Sequence, residues 1–418
     1  MKKVLIIGGG VIGLATAYYC IRRGWAVTVV ERRPAQRDGC SFGNAGMIVP
    51  SHFIPLAAPG MVALGLKWMW NPESPFYIKP RLSLELFDWL YKFWRASTSA
   101  QVRRAAPLLR DLNFASRAAY AELAALPGHD FGLVQKGLLM LCQTRHGLDE
   151  EAKTAAQAVA LGIPAEVLDA RQTAALDPAV RMSVAGSVYF PKDCHLQPDR
   201  FVATLQNQLI ATGAELIWDR EVTGWRHGTG SNLQSVRLED GRELSADEYV
   251  ICGGSWSPAL VRDLGLRIPI QAGKGYSLTL PQPRQLPQIC AIFTEARMAV
   301  TPMGGTLRFG GTMEISGLSE SIDTRRVRGI INAVSGYYPD FTPADFDGIA
   351  PWRGLRPCSP DGLPYLGRTN RYANLTLATG HAMMGMSLAP ITGQLVAKII
   401  SGDRPALDLS LLSPDRYS

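Results

Sequence analysis

Glycines at 8, 10 and 13, in the run Gly8-Gly9-Gly10-Val11-Ile12-Gly13, have the spacing that lets a backbone cradle a pyrophosphate. The first allows a tight turn, the second lets the main chain approach the phosphates, and the third lets a helix pack closely on a strand. An acid, Glu31, follows 23 residues after Gly8, where it can accept hydrogen bonds from ribose hydroxyls. Together these residues predict a dinucleotide site, with Val11 and Ile12 opening a helix whose N-terminus faces the anion. Two further glycine turns follow later in the chain, at Gly253-Gly254 after the apolar run 249–252 and at Gly380-His381 before Gly385.

The elements that must hold these residues are legible around them. Residues 4–7 form a continuous apolar run rich in branched side chains, as in a strand covered on both faces. Residues 12–23 place small and apolar side chains at helical spacing and end at Gly24, and 27–30 read as a second strand. The same parse accounts for the 18 uncharged residues between Lys2-Lys3 and Arg22-Arg23, which hydropathy alone would offer as a signal anchor. Three consecutive glycines argue against a membrane helix.

From 50 to 95 the chain is dense in proline and in aromatic residues, including Trp68, Trp70, Trp89 and Trp94, and reads as a long irregular excursion. Helical patterns follow at 100–126, 148–161, 198–213, 324–335 and 385–400, with a hairpin at 232–244 around Asp240-Gly241. Short strands at 277–280, 298–302 and 306–311 suggest an antiparallel sheet. The dinucleotide-type pieces recur at the start, middle and end of the chain, which predicts two discontinuous domains. A Rossmann-like α/β domain takes 1–85, 190–268 and 346–418, and a second, mainly antiparallel α+β domain takes 86–189 and 269–345. Glu31 suits either NAD or FAD, but three separated contact regions fit a long cofactor better than a compact one.

Composition narrows the class. With 47% apolar and 19% charged residues the chain can bury a large core, and 418 residues at about 150 per domain give roughly two to three domains. The net charge of +7 is scattered, without the dense basic run of a nucleic-acid arm, so no nucleic-acid partner is expected. The seven cysteines include no pair at the two-residue gap of zinc or redox motifs, which predicts a reduced, cytoplasmic protein with no metal site.

Several stretches in order resemble the D-amino-acid oxidase superfamily of FAD enzymes, and most closely the bacterial D-amino-acid dehydrogenases. They are the glycine hexad, Ser41-Phe42-Gly43-Asn44-Ala45-Gly46-Met47, Ala57-Ala58-Pro59-Gly60, Lys67-Trp68-Met69, Lys274-Gly275-Tyr276-Ser277-Leu278-Thr279, Gly354-Leu355-Arg356-Pro357, Ser359-Pro360-Asp361-Gly362 and Thr379-Gly380-His381. The resemblance implies that Gly8, Gly10, Gly13, Glu31 and Arg32 bind the ADP part of FAD. It further implies that Ser41, Asn44, Ala45, Gly46 and Met47 wrap the pyrophosphate and flavin edge, that Val222 meets the adenine, and that Gly253-Gly254 lies beneath the diphosphate. Gly380, Met384, Gly385, Met386 and Ser387 would form the flavin-side loop.

On the substrate side, the resemblance makes Arg356 the carboxylate clamp, since a guanidinium gives a bidentate, orienting grip. Tyr276, His52 and His381 are the other substrate-side candidates, and His381 also reads as a structural residue beside the flavin. No general base is named, because hydride transfer from Cα to flavin N5 needs little acid–base help when the amine arrives neutral. The stretch Pro50-Ser51-His52-Phe53 departs from broad D-alanine-type enzymes and resembles relatives that oxidise cis-4-hydroxy-D-proline. The competing expectations are a general D-amino-acid dehydrogenase, an oxygen-using glycine- or sarcosine-type oxidase, and a FAD-carrying subunit of an electron-transfer complex. Cys40 and Cys358 leave covalent attachment open, non-covalent binding being the leading expectation. The aromatic excursion with its lysines and arginines suggests peripheral contact with the inner membrane near a quinone acceptor. The oligomeric state stays open.

Overall fold

The computed structural model describes residues 1–69 and 73–418, so Trp70 and Pro72 of the aromatic excursion lie outside the described residues. The opening strand Lys3–Ile7, the helix Val11–Ile21 and the strand Ala26–Val30 make the expected βαβ unit. Lys3–Ile7 is central in a six-stranded sheet, pairing in parallel with Ala26–Val30 on one side and Glu248–Ile251 on the other. Leu375–Thr379 continues the parallel run beyond Glu248–Ile251, Glu215–Ile217 extends it at the other edge, and Tyr365–Arg368 closes it antiparallel. The apolar continuity of these strands follows from burial on both faces.

Two helices cover one face of this sheet at close range. A Cβ on Gly393, in the helix Gly385–Ile400, would lie 2.6 Å from the Ala15 carbonyl oxygen, so the two backbones nearly touch there. The helical stretch Ala382–Ile400 is long and apolar enough to cross a membrane, yet 67% of its apolar window is buried inside the protein. Its hydropathy is that of a core helix.

The second body is a nine-stranded sheet, mainly antiparallel, whose longest strands are Gln271–Leu280 and Thr306–Ile315. The helix Thr324–Tyr337 buries Val327, Ile330 and Val334 in the core formed with this sheet. The fold is therefore a Rossmann-like α/β domain joined to an antiparallel-sheet domain. Trp352–Cys358 and Phe76–Ile78 fall in stretches assigned from sequence to the cofactor domain, but both hydrogen-bond into the large sheet. The hairpin at Asp240-Gly241 joins Leu233–Leu238 to Glu243–Leu244.

The excursion at 50–95 is more regular than its prolines suggest. It contains the helix Met61–Trp68, the strand Phe76–Ile78 and the helix Leu84–Ala96. In the last of these, Leu86, Trp89, Leu90 and Phe93 recur at helical spacing and pack together, and Ser83 caps the start by accepting from the Leu86 N–H. The proline density masked that period.

Candidate active site

At the glycine turn, backbone meets backbone. Gly8 has φ +115°, and a Cβ there would lie 2.5 Å from the Cys252 carbonyl oxygen. A Cβ on Gly13 would lie 1.8 Å from the Gly8 oxygen, so any side chain would force the helix off the turn. Gly10 offers no capping side chain and the first turn of Val11–Ile21 holds no acid, while the Val11 N–H donates to Ser41 Oγ at 2.9 Å. The helix end is left electropositive and open. Glu31 is held in place by two amides, Gly9 N–H to Oε2 at 2.7 Å and Arg33 N–H to Oε1 at 2.9 Å. Arg32 stacks on Trp256 at 3.9 Å, and buried Arg37 donates to the Gly9 carbonyl oxygen while stacking on Trp218 at 4.2 Å.

Two cavities open from this region. The smaller, about 270 Å³, runs along Gly8, Gly10, Val11, Ile12, Glu31 and Arg32, then past Ser41, Val222, Gly253 and Gly254 to His381, Gly385 and Met386. The larger, about 940 Å³, is lined by Ala45, Met47, His52, Tyr276, Arg356 and Met384 among many apolar side chains. Cys40 and Asn44 belong to both walls, so the cavities meet there. Gly13, Gly46, Gly380 and Ser387 stand behind the walls instead. Gly46 supports the wall by accepting from the Leu196 N–H at 2.8 Å, and Gly380 turns the chain at φ +78°. The Ser387 hydroxyl donates to Asn113 Oδ1 at 2.7 Å and accepts from the Val49 N–H at 3.0 Å. Burial of these four in the supporting layer is why they do not face a ligand.

Arg356 lies on Trp352–Cys358 opposite Gly273 of Gln271–Leu280. Its guanidinium passes over Gly275, where a Cβ would sit 2.1 Å from Nη1. Nη1 donates to the Thr312 carbonyl oxygen at 2.8 Å, and among the described residues Arg356 forms no ion pair. A cation with unused donors in a mainly apolar cavity has the chemistry to pair with a carboxylate.

Two of the other substrate-side candidates are otherwise engaged. The Tyr276 hydroxyl donates to Glu314 Oε2 at 2.7 Å and accepts from the Asp323 N–H at 3.2 Å, within a buried cluster that includes Lys274 and Arg326. Burial, and then the Glu314 bond, push its pKa well up. Tyr276 therefore contributes to the cavity wall without a free hydroxyl. The His381 ring bonds Thr392 Oγ1 through Nε2 at 3.0 Å and lines the smaller cavity rather than the larger one that holds Arg356. Burial lowers its pKa to about 3. His52 does line the larger cavity, its Nδ1 lies 3.0 Å from Ser51 Oγ, and burial lowers its pKa to about 4, leaving a neutral imidazole.

Sequence reasoning missed Arg37, Trp256, Gly275 and Asp193. Arg37 and Trp256 had no motif to mark them. Gly275 lay inside a recognised stretch, yet its role appears only when Arg356 is laid across it. Asp193 sat in a loop read as a connection. It is fully buried and bonded to Ser51.

The residues present fit FAD. An amide-held acid at a strand end, a glycine turn facing a helix N-terminus, and a second glycine turn leading to Gly385–Ile400 line one cleft. That cleft opens into an apolar cavity holding a cation.

The family model described as DAO, FAD dependent oxidoreductase, matches residues 3–399. The chain is 34% identical over 424 residues to a D-amino acid dehydrogenase of Methylobacterium radiotolerans, covering 99% of each. It is 34% identical over 432 residues to a protein of the same name from Bradyrhizobium diazoefficiens, covering 100% of this chain and 99% of the other. Among solved structures, glycine oxidase from Geobacillus kaustophilus superposes with a TM-score of 0.80 at 24% identity, over 100% of both chains. An L-alpha-glycerophosphate oxidase from Mycoplasma pneumoniae with FAD bound gives 0.70 at 14% identity, covering 96% of this chain and 95% of that one. The likeness to these two is one of fold, while the family match spans the glycine turn, Glu31, both cavities and Arg356. Sequence and architecture thus agree that this chain belongs to the family of FAD dependent oxidoreductases.

Proposed function

We propose that this flavoenzyme is a D-amino-acid dehydrogenase acting on a cyclic secondary amine, with cis-4-hydroxy-D-proline as the preferred substrate. The observation that carries the reading is Arg356, which lies over Gly275 without an ion-pair partner among the described residues. It does so in the cavity that joins the cofactor cleft at Cys40 and Asn44. The names of the relatives support the amino-acid part of the proposal. Bound FAD supplies the two-electron acceptor for a hydride leaving the substrate Cα. Arg356 grips the carboxylate, and with that end fixed only one enantiomer directs its Cα–H toward the cofactor while keeping its nitrogen in place. The apolar walls exclude water, and His52 supplies the polar group that meets the ring hydroxyl, so that substrates lacking the hydroxyl are disfavoured.

Anaerobic titration of the holoenzyme with D-alanine, D-proline, cis-4-hydroxy-D-proline and glycine tests this. The hydroxylated imino acid should bleach the flavin with the highest kcat/KM, and L-isomers should be far slower. Preference for D-alanine would return the protein to the general D-amino-acid dehydrogenases. Rapid reoxidation by oxygen would make it an oxidase, and failure of every amine would favour an electron-transfer subunit.

For the electron acceptor we propose a quinone reached by peripheral contact with the cytoplasmic face of the inner membrane. Leu82 is 98% exposed, and Leu84, Phe87, Tyr91 and Trp94 are exposed on and beside the helix Leu84–Ala96, with Lys67, Lys79 and Arg95 nearby in sequence. Apolar and aromatic side chains flanked by cations suit a lipid interface. Flotation with anionic liposomes at low and high salt should show salt-sensitive association, and its absence would remove the proposal.

A further inference from the structure

Behind His52 lies a hydrogen-bonded chain that the reading above does not use. Asp193 is fully buried in the turn between Gly186–Phe190 and Cys194–His195. Its backbone is pinned on both sides, accepting from the Gly137 N–H at 3.0 Å and donating to the Phe190 oxygen at 3.3 Å. Both carboxylate oxygens face one residue. Oδ1 accepts from the Ser51 N–H at 3.1 Å, and Oδ2 accepts from the Ser51 hydroxyl. Ser51 Oγ lies in turn 3.0 Å from His52 Nδ1, and His52 lines the larger cavity.

With the Asp193 carboxylate ionised, as it is above about pH 7, donor bookkeeping sets the direction of this chain. A serine hydroxyl carries one hydrogen, and here it goes to the carboxylate. Toward His52 the oxygen can then only accept, so Nδ1 must donate. A neutral imidazole carries a single N–H, which leaves Nε2 bare. We propose that the Asp193 carboxylate, acting through Ser51, fixes His52 as the Nδ1–H tautomer, so that Nε2 presents an acceptor to a donor hydroxyl on the substrate. A buried carboxylate that sets an imidazole tautomer is a known device in serine proteases, and here a serine stands between the two. Ser51 and Asp193 are positioning residues.

The charged and titratable groups around Asp193 set the pH above which it is an acceptor carboxylate. Burial, the largest effect, raises its pKa to about 7 even though the two Ser51 donors and Arg117, on the helix Ser99–Ala124, pull it down, so the carboxylate is ionised above that pH. Cys194 and Cys290 also face it, and burial keeps both thiols protonated. His52 itself stays neutral.

The inference rests on the reading of His52 as partner of the ring hydroxyl, and its test separates the two. In Asp193→Asn the Ser51 N–H still requires the amide oxygen, so the amide nitrogen must donate to Ser51 Oγ. The hydroxyl then donates to Nδ1, and the imidazole hydrogen moves to Nε2. The substitution keeps size and shape while inverting the chain.

Histidine-labelled holoenzyme, with the His52 signals assigned by loss in His52→Gln, should show Nδ1–H in the native protein and Nε2–H in Asp193→Asn. The functional readout is the ratio of kcat/KM for cis-4-hydroxy-D-proline to that for cis-4-fluoro-D-proline, an analogue that accepts weakly and donates nothing. That ratio should fall tenfold or more in Asp193→Asn. A native His52 protonated at Nε2, or a tautomer unmoved by the variant, overturns the proposal. An inverted tautomer with an unmoved ratio upholds the tautomer assignment and overturns the hydroxyl reading of His52. If Asp193→Asn loses FAD, Ser51→Ala serves instead, and a pure Nδ1–H signal persisting there overturns the proposal.

Discussion

The cleft at the glycine turn and the larger cavity beside it are made of different material. In the cleft, the groups that meet a ligand at the glycine turn are backbone amides and glycines of the first 31 residues, held by contacts such as Gly9 N–H to Glu31, and later segments around Ser41, Val222 and Gly253 complete the wall. In the cavity they are side chains from distant parts of the chain. Arg356 crosses Gly275, and His52 leans on Ser51 and through it on Asp193. A backbone-built site tolerates almost no added atom where chains cross, as Gly8 does at Cys252. A site built from side chains can change its ligand by single substitutions, provided that the layer behind it keeps each group in position.

The sharpest way to break this contrast is Gly13→Glu. With 1.8 Å between a Cβ and the Gly8 oxygen, and a negative charge beside the phosphates, the variant should purify without FAD. A variant showing full flavin absorbance would mean that the cleft is not backbone-limited. Arg356→Leu should do the opposite, keeping FAD while KM for the amino acid rises by about 2–5 kcal/mol in binding, the cost of leaving a buried charge partner unpaired. Normal kinetics in that variant would take Arg356 out of the site. Gly275→Val sharpens the comparison by using a backbone position to disturb a side chain. Its Cβ occupies the place of Nη1, so FAD should remain and KM should rise, though less than in Arg356→Leu because the guanidinium survives in a shifted position. The smallest effect is expected of His52→Ala, which should cost the hydroxylated substrate about 1–3 kcal/mol more than D-proline. Equal losses for both would make His52 a packing residue.

Much of the first region was legible because its determinants are local. The positions of Gly8, Gly10 and Gly13, the apolar run before them and Glu31 after them specify a turn and its flanking elements, and the structure has that turn. The second region was legible only in part. Arg356 was found through its motif, but nothing in that motif revealed Gly275 beneath it. Tyr276 and His381 were both candidates in sequence, His381 also as a structural residue, and each spends a polar atom on a buried partner, Glu314 in one case and Thr392 in the other. Ser387 likewise faces Asn113. The helix Leu84–Ala96 carried its period in plain view, hidden by prolines that fall outside it.

The sequence by itself determined the βαβ unit, the dinucleotide turn and the antiparallel character of the second sheet, because each depends on residues a few positions apart. The tertiary structure decided which side chains face a cavity and which face the core. That choice depends on register, as where Gly273 meets Arg356, and on long-range hydrogen bonds, as where Asp193 meets Ser51 across 142 positions. A shift of one residue in a strand turns every side chain to the other face, and pairing between distant strands is set by packing of the whole core, which no local pattern encodes.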